Sequence, residues 1–296
     1  MTQAPPKRIL FFHGYTQNAA LFRAKTSALR KKLQKFGFNC IYLNAPYVLS
    51  PADLPTTDSL SKFGSATSGE ESPVTYRGWW IKPNKSNDCI DLDLSIAAVR
   101  DYVQSGEIIA DDEKEEKSES KSKGKSQEGS EDGDVVGLIG FSQGASFAGL
   151  IAEKFNELFG ARGHHVKFVV CYSGFKLDTS PRSGNEKYQG YYRGGGDGRL
   201  RYLHVYGELD TVVDETRSLT LYQAKQSVSD VLKHPGGHFV PNSKLYVDQV
   251  CGWVSNVMNG EEPEKSEKQG NDNDNKKSKD DDIDELLAMM DGFGKA

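Results

Sequence analysis

Val135-Val136-Gly137-Leu138-Ile139-Gly140-Phe141-Ser142-Gln143-Gly144 runs an unbroken apolar segment into a G-x-S-x-G turn, and this junction decides the fold. The apolar run predicts a strand buried on both faces, and Ala145 to Phe159, which lacks proline, predicts a helix. Between them the chain must turn sharply, holding Ser142 at the apex in a strained conformation. The glycines two before and two after it leave room for the tight turn and for close packing of helix on strand. Five-residue patterns recur by chance, so the weight rests on what flanks this one and on partners elsewhere in the chain.

Outward from that junction, short apolar runs alternate with segments of helical period. Arg8 to Phe12, Phe38 to Leu43, Val166 to Tyr172, Tyr202 to Tyr206 and Val231 to His234 predict strands. Ala20 to Phe36 predicts a basic amphipathic helix with Leu21, Ala28, Leu29 and Leu33 on one side. Asp91 to Gln104 predicts another, built on Leu94, Ala97, Ala98 and Val103, and further helices fall near 143–159, 214–226 and 243–258. Strands that alternate with helices and are apolar throughout imply an α/β fold: a mostly parallel sheet with helices on both faces.

A serine at such a turn suits nucleophilic catalysis, which also needs a base, an acid to orient the base, and donors for the oxyanion. In folds with this turn the chain order is Ser, then Asp or Glu, then His. Val205-Tyr206-Gly207-Glu208-Leu209-Asp210 is a strand entering a loop that ends in an acid, and His234-Pro235-Gly236-Gly237-His238-Phe239-Val240-Pro241 is a Gly/Pro-rich loop after a strand. Loops at the carboxyl ends of parallel strands converge on one edge of the sheet, so Ser142, Asp210 and His238 can meet there. Rivals fit less well. His164 and His165 lie in a polar turn at the opposite edge, His204 sits inside a strand, and His234 ends one. Glu208 precedes Asp210 by two residues, and Asp214 suits a helix cap. His13-Gly14-Tyr15 follows the first strand, where the Tyr15 N–H, with that of Gln143, can serve as oxyanion donor; His13 is an alternative base on chemistry alone, but its place before a turn glycine suits it better to shaping the loop.

Composition narrows the class. With 296 residues, 36% hydrophobic and 27% charged, and a net charge of −5, the chain is polar for a globular enzyme and poorly suited to nucleic acid or an acidic membrane surface. No window approaches the ~18 apolar residues of a membrane span, and Met1 to Arg8 lacks the apolar core of a signal peptide. Cys40, Cys89, Cys171 and Cys251 form no C-x-x-C pair, which predicts free thiols, a reducing cytoplasmic or nuclear setting, no metal and no cofactor. Asp111 to Asp134 contains no apolar residue and predicts a disordered insertion, as does the 259–282 linker. Ser180 to Gly198 predicts a long mobile loop. Residues 283–293 carry Ile283, Leu286, Leu287 and Met290 at helical spacing, predicting a short acidic amphipathic helix that can dock on a protein partner or fold back on its own domain.

Over residues 7–258 the chain resembles the fungal FSH-type serine hydrolases, relatives of the animal ovarian-cancer-associated hydrolases and, more distantly, of acyl-protein thioesterases. The motifs are Leu10-Phe11-Phe12-His13-Gly14-Tyr15-Thr16-Gln17-Asn18, Asn44-Ala45-Pro46, Gly78-Trp79-Trp80, Gly140-Phe141-Ser142-Gln143-Gly144-Ala145, Tyr172-Ser173-Gly174-Phe175, His204 to Asp210 and His234 to Pro241. The resemblance implies an α/β-hydrolase domain with Ser142, Asp210 and His238 as triad, acting on a small ester or thioester. The charged insertion and the acidic tail depart from it. Trp79, Trp80 and Phe239 are the expected walls of an acyl pocket. No segment reads as a large lid, so the site is expected to be open and to favour small or medium acyl groups. The competing class is a hydrolase-fold scaffold that recruits partners through its acidic tail and charged loop.

Overall fold

The computed structural model describes residues 5–51, 53–54, 75–82, 89–110, 133–160, 165–192 and 200–260. Met1–Glu262 forms one compact unit. The amphipathic segment 283–293, most of the 259–282 linker and nearly all of the insertion 111–134 lie outside the described residues.

Strands β1 (Arg8–Phe12), β2 (Asn39–Leu43), β5 (Val135–Phe141), β6 (Phe168–Tyr172), β7 (Arg201–Gly207) and β8 (Ser229–His234) form one sheet in the order β2-β1-β5-β6-β7-β8. Every neighbouring pair in it is parallel. A short antiparallel pair, β3 (Tyr47–Val48) with β4 (Arg77–Gly78), stands apart from it. Each residue of β1, β5 and β6 is buried, as continuous apolar runs require of strands covered on both sides. Side chains alternate between two cores. Leu10 and Phe12 of β1 enter one with helices α3 (Asp93–Ser105), α4 (Gln143–Ile151) and α5 (Phe155–Phe159) and with Leu221 of α6 (Glu215–Ala224). Ile9 and Phe11 enter the other with α1 (Ala19–Lys25), α2 (Ser27–Lys35) and α7 (Lys244–Asn259).

Three expectations need correction. The helix predicted over 20–36 is two helices, broken at Thr26. There the hydroxyl meets the Phe22 carbonyl and the Tyr42 hydroxyl, each at 2.7 Å, so a buried polar side chain is satisfied at the joint. Helix α3 turns Ile96, Val99 and Tyr102 inward and leaves Leu94 56% exposed, because the Ser95 hydroxyl is buried as donor to the Trp79 carbonyl and rotates the helix toward that side. The start of the 180–198 segment is anchored rather than loose. Tyr188 and Tyr192 are buried, and their hydroxyls accept the Leu92 and Leu177 amides at 2.9 and 3.0 Å.

The sheet order sets the site. From β1 the chain steps to β2 at one edge, then crosses back to β5 on the other side of β1 and continues outward to β8. Open parallel sheets form their ligand crevice where the order reverses, at the carboxyl ends of the strands. Here that point lies between β1 and β5, beside the His13-Gly14-Tyr15 turn and Ser142.

Candidate active site

Ser142 joins β5 to α4 with φ 52° and ψ −117°, a conformation that side chains rarely adopt. Its N–H is fixed by the Tyr172 carbonyl at 2.7 Å, and its carbonyl accepts from Ser146 N. The flanking glycines permit this. A Cβ on Gly140 would lie 2.5 Å from the Ala145 backbone, and one on Gly144 would lie 2.3 Å from the carbonyl oxygens of both Phe12 and His13. The non-glycine residues with left-handed backbone among those described are Thr16, Ser142 and Ser173, at φ 59°, 52° and 47°. Each follows the carboxyl end of one of three adjacent strands, β1, β5 and β6. Strain gathered at one sheet edge is a common mark of a functional site.

The acid and the imidazole are brought together by backbone pairing that continues past the strand ends. Glu208 N donates to the His234 carbonyl at 2.8 Å and Leu209 N to the Gly236 carbonyl at 3.0 Å. Asp210 and His238, both buried, then meet through His238 Nδ1 and Asp210 Oδ2 at 2.7 Å. Asp210 Oδ2 also accepts from the Ser173 hydroxyl at 2.8 Å, and Oδ1 from the amides of Val212 and Val213 at 2.9 and 2.8 Å. Burial pushes this carboxyl upward, but the His238 hydrogen bond and charge, the Val213 amide and the Ser173 hydroxyl together hold it below the usual carboxylate range. With Nδ1 committed to Asp210, Nε2 is the ring nitrogen that can take a proton. The His238 ring packs 4.7 Å, centroid to centroid, from that of Phe141, the residue before Ser142.

The other histidines and acids fall elsewhere. His13 is fully buried. Its Nδ1 donates to the Gly14 carbonyl at 2.7 Å, while Nε2 accepts the Ala45 amide at 3.1 Å, so both nitrogens hold the loop. His234 accepts the Gly236 amide at Nδ1 and packs against Phe239 and Tyr246. His204 lies inside β7 against Tyr202 and Tyr222, and His165 is exposed. Glu208 is exposed, and Asp214 caps α6 by accepting the Arg217 amide at 2.8 Å.

Burial lowers both His13 and His204 to about 4, outweighing the Gly14 carbonyl at His13 and the Asp230 charge at His204, while the Arg77 charge lowers His13 further. Each is neutral in the folded chain near neutrality yet protonates at its ordinary value once unfolded. The folded state therefore gains stability above pH 6.5 and loses it as pH falls toward 4, by roughly 3 kcal/mol per histidine. His204→Phe should flatten the fall of the unfolding midpoint across that window. A slope identical to that of the parent chain would refute the assignment.

Gln143 opens α4, so its backbone N–H has no acceptor within the helix. Its side chain accepts the Trp79 amide at 2.7 Å and donates to the Trp80 carbonyl at 2.9 Å, tying the turn at Ser142 to the segment after β4. Ser142, Gln143 and Tyr15 line one cavity of about 470 Å³, whose apolar wall includes Trp80, Phe175, Val212 and Val213. Of the three aromatics expected there, only Trp80 lines that cavity. Trp79 is wholly buried, stacked on Phe147, with its indole N–H donating to the His13 carbonyl at 2.9 Å. Adjacent residues of an extended chain face opposite ways, and Trp79 takes the core side. Phe239 lies on a separate hollow of about 150 Å³ beside His238. Sequence reasoning missed Phe175, Val212 and Val213, and it missed the Ser173 hydroxyl. The Tyr172-Ser173-Gly174-Phe175 motif was the available signal for the serine.

Cys40, Cys171 and Cys251 are free thiols, and burial raises them, Cys40 to about 12 and Cys251 to about 11, which makes them poor nucleophiles. Among the described residues no cluster could hold a metal ion and no helix is long and apolar enough to cross a membrane.

Comparison with known proteins agrees with this architecture. The family model "Serine hydrolase (FSH1)" matches residues 1–250. "Family of serine hydrolases 3" of Saccharomyces cerevisiae is 31% identical over 306 aligned positions, spanning 98% of each chain. "Esterase OVCA2" of Danio rerio is 30% identical over 251, covering 80% of this chain and 92% of its own. Among solved structures, Zea mays acyl-protein thioesterase 2 superposes with a TM-score of 0.50 at 17% identity over 87% of this chain and 96% of its own, a likeness of fold. The chain belongs to the serine hydrolase (FSH1) family and is a hydrolytic enzyme with the α/β-hydrolase fold.

Proposed function

We propose that the enzyme cleaves carboxylic esters or thioesters of small to medium acyl groups through Ser142, with His238 as base and Asp210 as its orienting acid. The observation that carries this is the buried His238–Asp210 pair at the sheet edge where Ser142 is held in a strained turn. His238 takes the Ser142 proton as the hydroxyl attacks the carbonyl, and Asp210 holds the imidazole with its proton on Nδ1. The oxyanion rests on the backbone N–H groups of Gln143 and Tyr15, and the leaving group departs with the proton from His238. Water, activated by the same imidazole, then releases the acyl group. The names of the esterase relatives favour an ester carbonyl. A cavity of about 470 Å³ with an apolar wall favours acyl chains of modest length, since pockets for small molecules span roughly 300–1,000 Å³. The buried free thiols of Cys40, Cys171 and Cys251 fit a reducing compartment, the cytoplasm or the nucleus. The scaffold alternative rests on the charged insertion and the acidic tail, which lie almost wholly outside the described residues.

A fluorophosphonate probe should label the folded protein, and Ser142→Ala should abolish the label. Labelling that survives the substitution would sink the assignment. A panel of p-nitrophenyl esters of graded chain length, with matched thioesters and peptide anilides, should give the highest kcat/KM for short to medium acyl chains and none for the anilides. Turnover that rises steadily to the longest chains would contradict the size argument.

A further inference from the structure

We propose that Ser173 is a positioning residue of the catalytic apparatus, its hydroxyl holding the Asp210 carboxylate in register with the His238 ring. This rests on the triad reading above. Ser173 follows β6, the strand beside the nucleophile strand β5, and is buried. Its N–H donates to the Val205 carbonyl at 2.8 Å, and its backbone is left-handed at φ 47°. A glycine would take that backbone without strain, so what serine contributes there is the hydroxyl. The hydroxyl donates at 2.8 Å to Asp210 Oδ2, the oxygen that faces His238 Nδ1. With Oδ1 held by two backbone amides, the carboxylate is pinned at both oxygens and cannot turn about its last bond. The imidazole plane follows from the carboxylate plane.

Removing the hydroxyl has two consequences of the same sign. Asp210 presents undivided charge to the ring, which favours the imidazolium, and it loses a donor that keeps it ionised. Both raise the apparent acid ionisation of the coupled pair. Among the described residues, His234, which ends β8, feels the Asp210 charge, and Lys25 of α1 lines the same hollow as His238. Neither of these is altered by a change at position 173.

The test compares Ser173→Ala, which keeps the strain and loses the hydroxyl, with Ser173→Gly, which loses both. Each full-length variant is assayed for kcat/KM against pH on a p-nitrophenyl ester and for its rate of fluorophosphonate labelling. Both variants should lose about tenfold in kcat/KM. In both, the acidic limb of the profile should move up by about half a pH unit or more. Ser173→Gly, free of strain, keeps the comparison valid if the alanine variant folds poorly. A glycine variant with wild-type turnover and an unmoved limb would overturn the inference by showing that the residue serves the backbone alone. Folded wild-type protein that takes no label would instead remove the triad reading, and this proposal with it.

Discussion

Asp210→Asn should lower kcat by about 10⁴-fold while changing KM little. The environment of the carboxylate decides which way the amide sits. Oδ1 accepts from the Val212 and Val213 amides, and an NH₂ group placed there would face two donors and lose both bonds. The amide oxygen therefore stays at that position, and the NH₂ group takes the place of Oδ2, facing His238 Nδ1. A donor opposite Nδ1 makes that nitrogen an acceptor and moves the ring proton to Nε2, the nitrogen that in the proposed mechanism receives the proton of Ser142. The fold is kept, because the substitution is isosteric and the Ser173 hydroxyl can rotate to accept where it formerly donated. Steady-state kinetics with active-site titration would measure the effect. A loss of less than tenfold in well-folded protein would mean that Asp210 does not orient the base.

The parts of this site that could be read from sequence are those whose structure is local. Val135 to Gly144 encodes strand, turn and helix in ten consecutive residues, and the glycines either side of Ser142 leave little else for the chain to do there. That Asp210 and His238 lie side by side was legible because each follows an apolar strand run, and a parallel sheet must bring such loops to one edge. What could not be read depends on contacts between distant segments. The Ser173 hydroxyl has meaning only beside Asp210, 37 positions away. Trp79 and Trp80 are indistinguishable as sequence, yet one stacks in the core on Phe147 and the other walls the cavity. Helix α3 offered two apolar arcs, and the buried hydrogen bond from Ser95 to the Trp79 carbonyl selects the one that sequence hydrophobicity alone did not. Thr26 divides a helix because its hydroxyl finds Tyr42 on the neighbouring strand β2.

Gly144→Ala should both destabilise the enzyme and impair it, although alanine is the stronger helix former. Position 144 lies in the first turn of α4, where exchange of glycine for alanine would ordinarily gain up to ~1 kcal/mol. Here the added Cβ would stand 2.3 Å from the carbonyl oxygens of Phe12 and His13. Both are backbone atoms at and just past the end of strand β1, so no side chain can swing aside to relieve the overlap. Either α4 lifts off the sheet or the end of β1 retreats. Overpacking of this kind costs about 3 kcal/mol, which for a domain of this size lowers the unfolding midpoint by roughly 6–12 °C. The catalytic cost follows from the same displacement. Gln143 at the head of α4 and Tyr15 beyond β1 are the two proposed oxyanion donors, and the clash pushes their supports apart. A misplacement near 1 Å can cost about 10²-fold in rate, which should appear in kcat of the folded fraction rather than in KM. Thermal unfolding together with titrated kcat would separate the two effects. A Gly144→Ala protein as stable and as fast as the parent would show that α4 and β1 are not as closely apposed as the nucleophile turn requires.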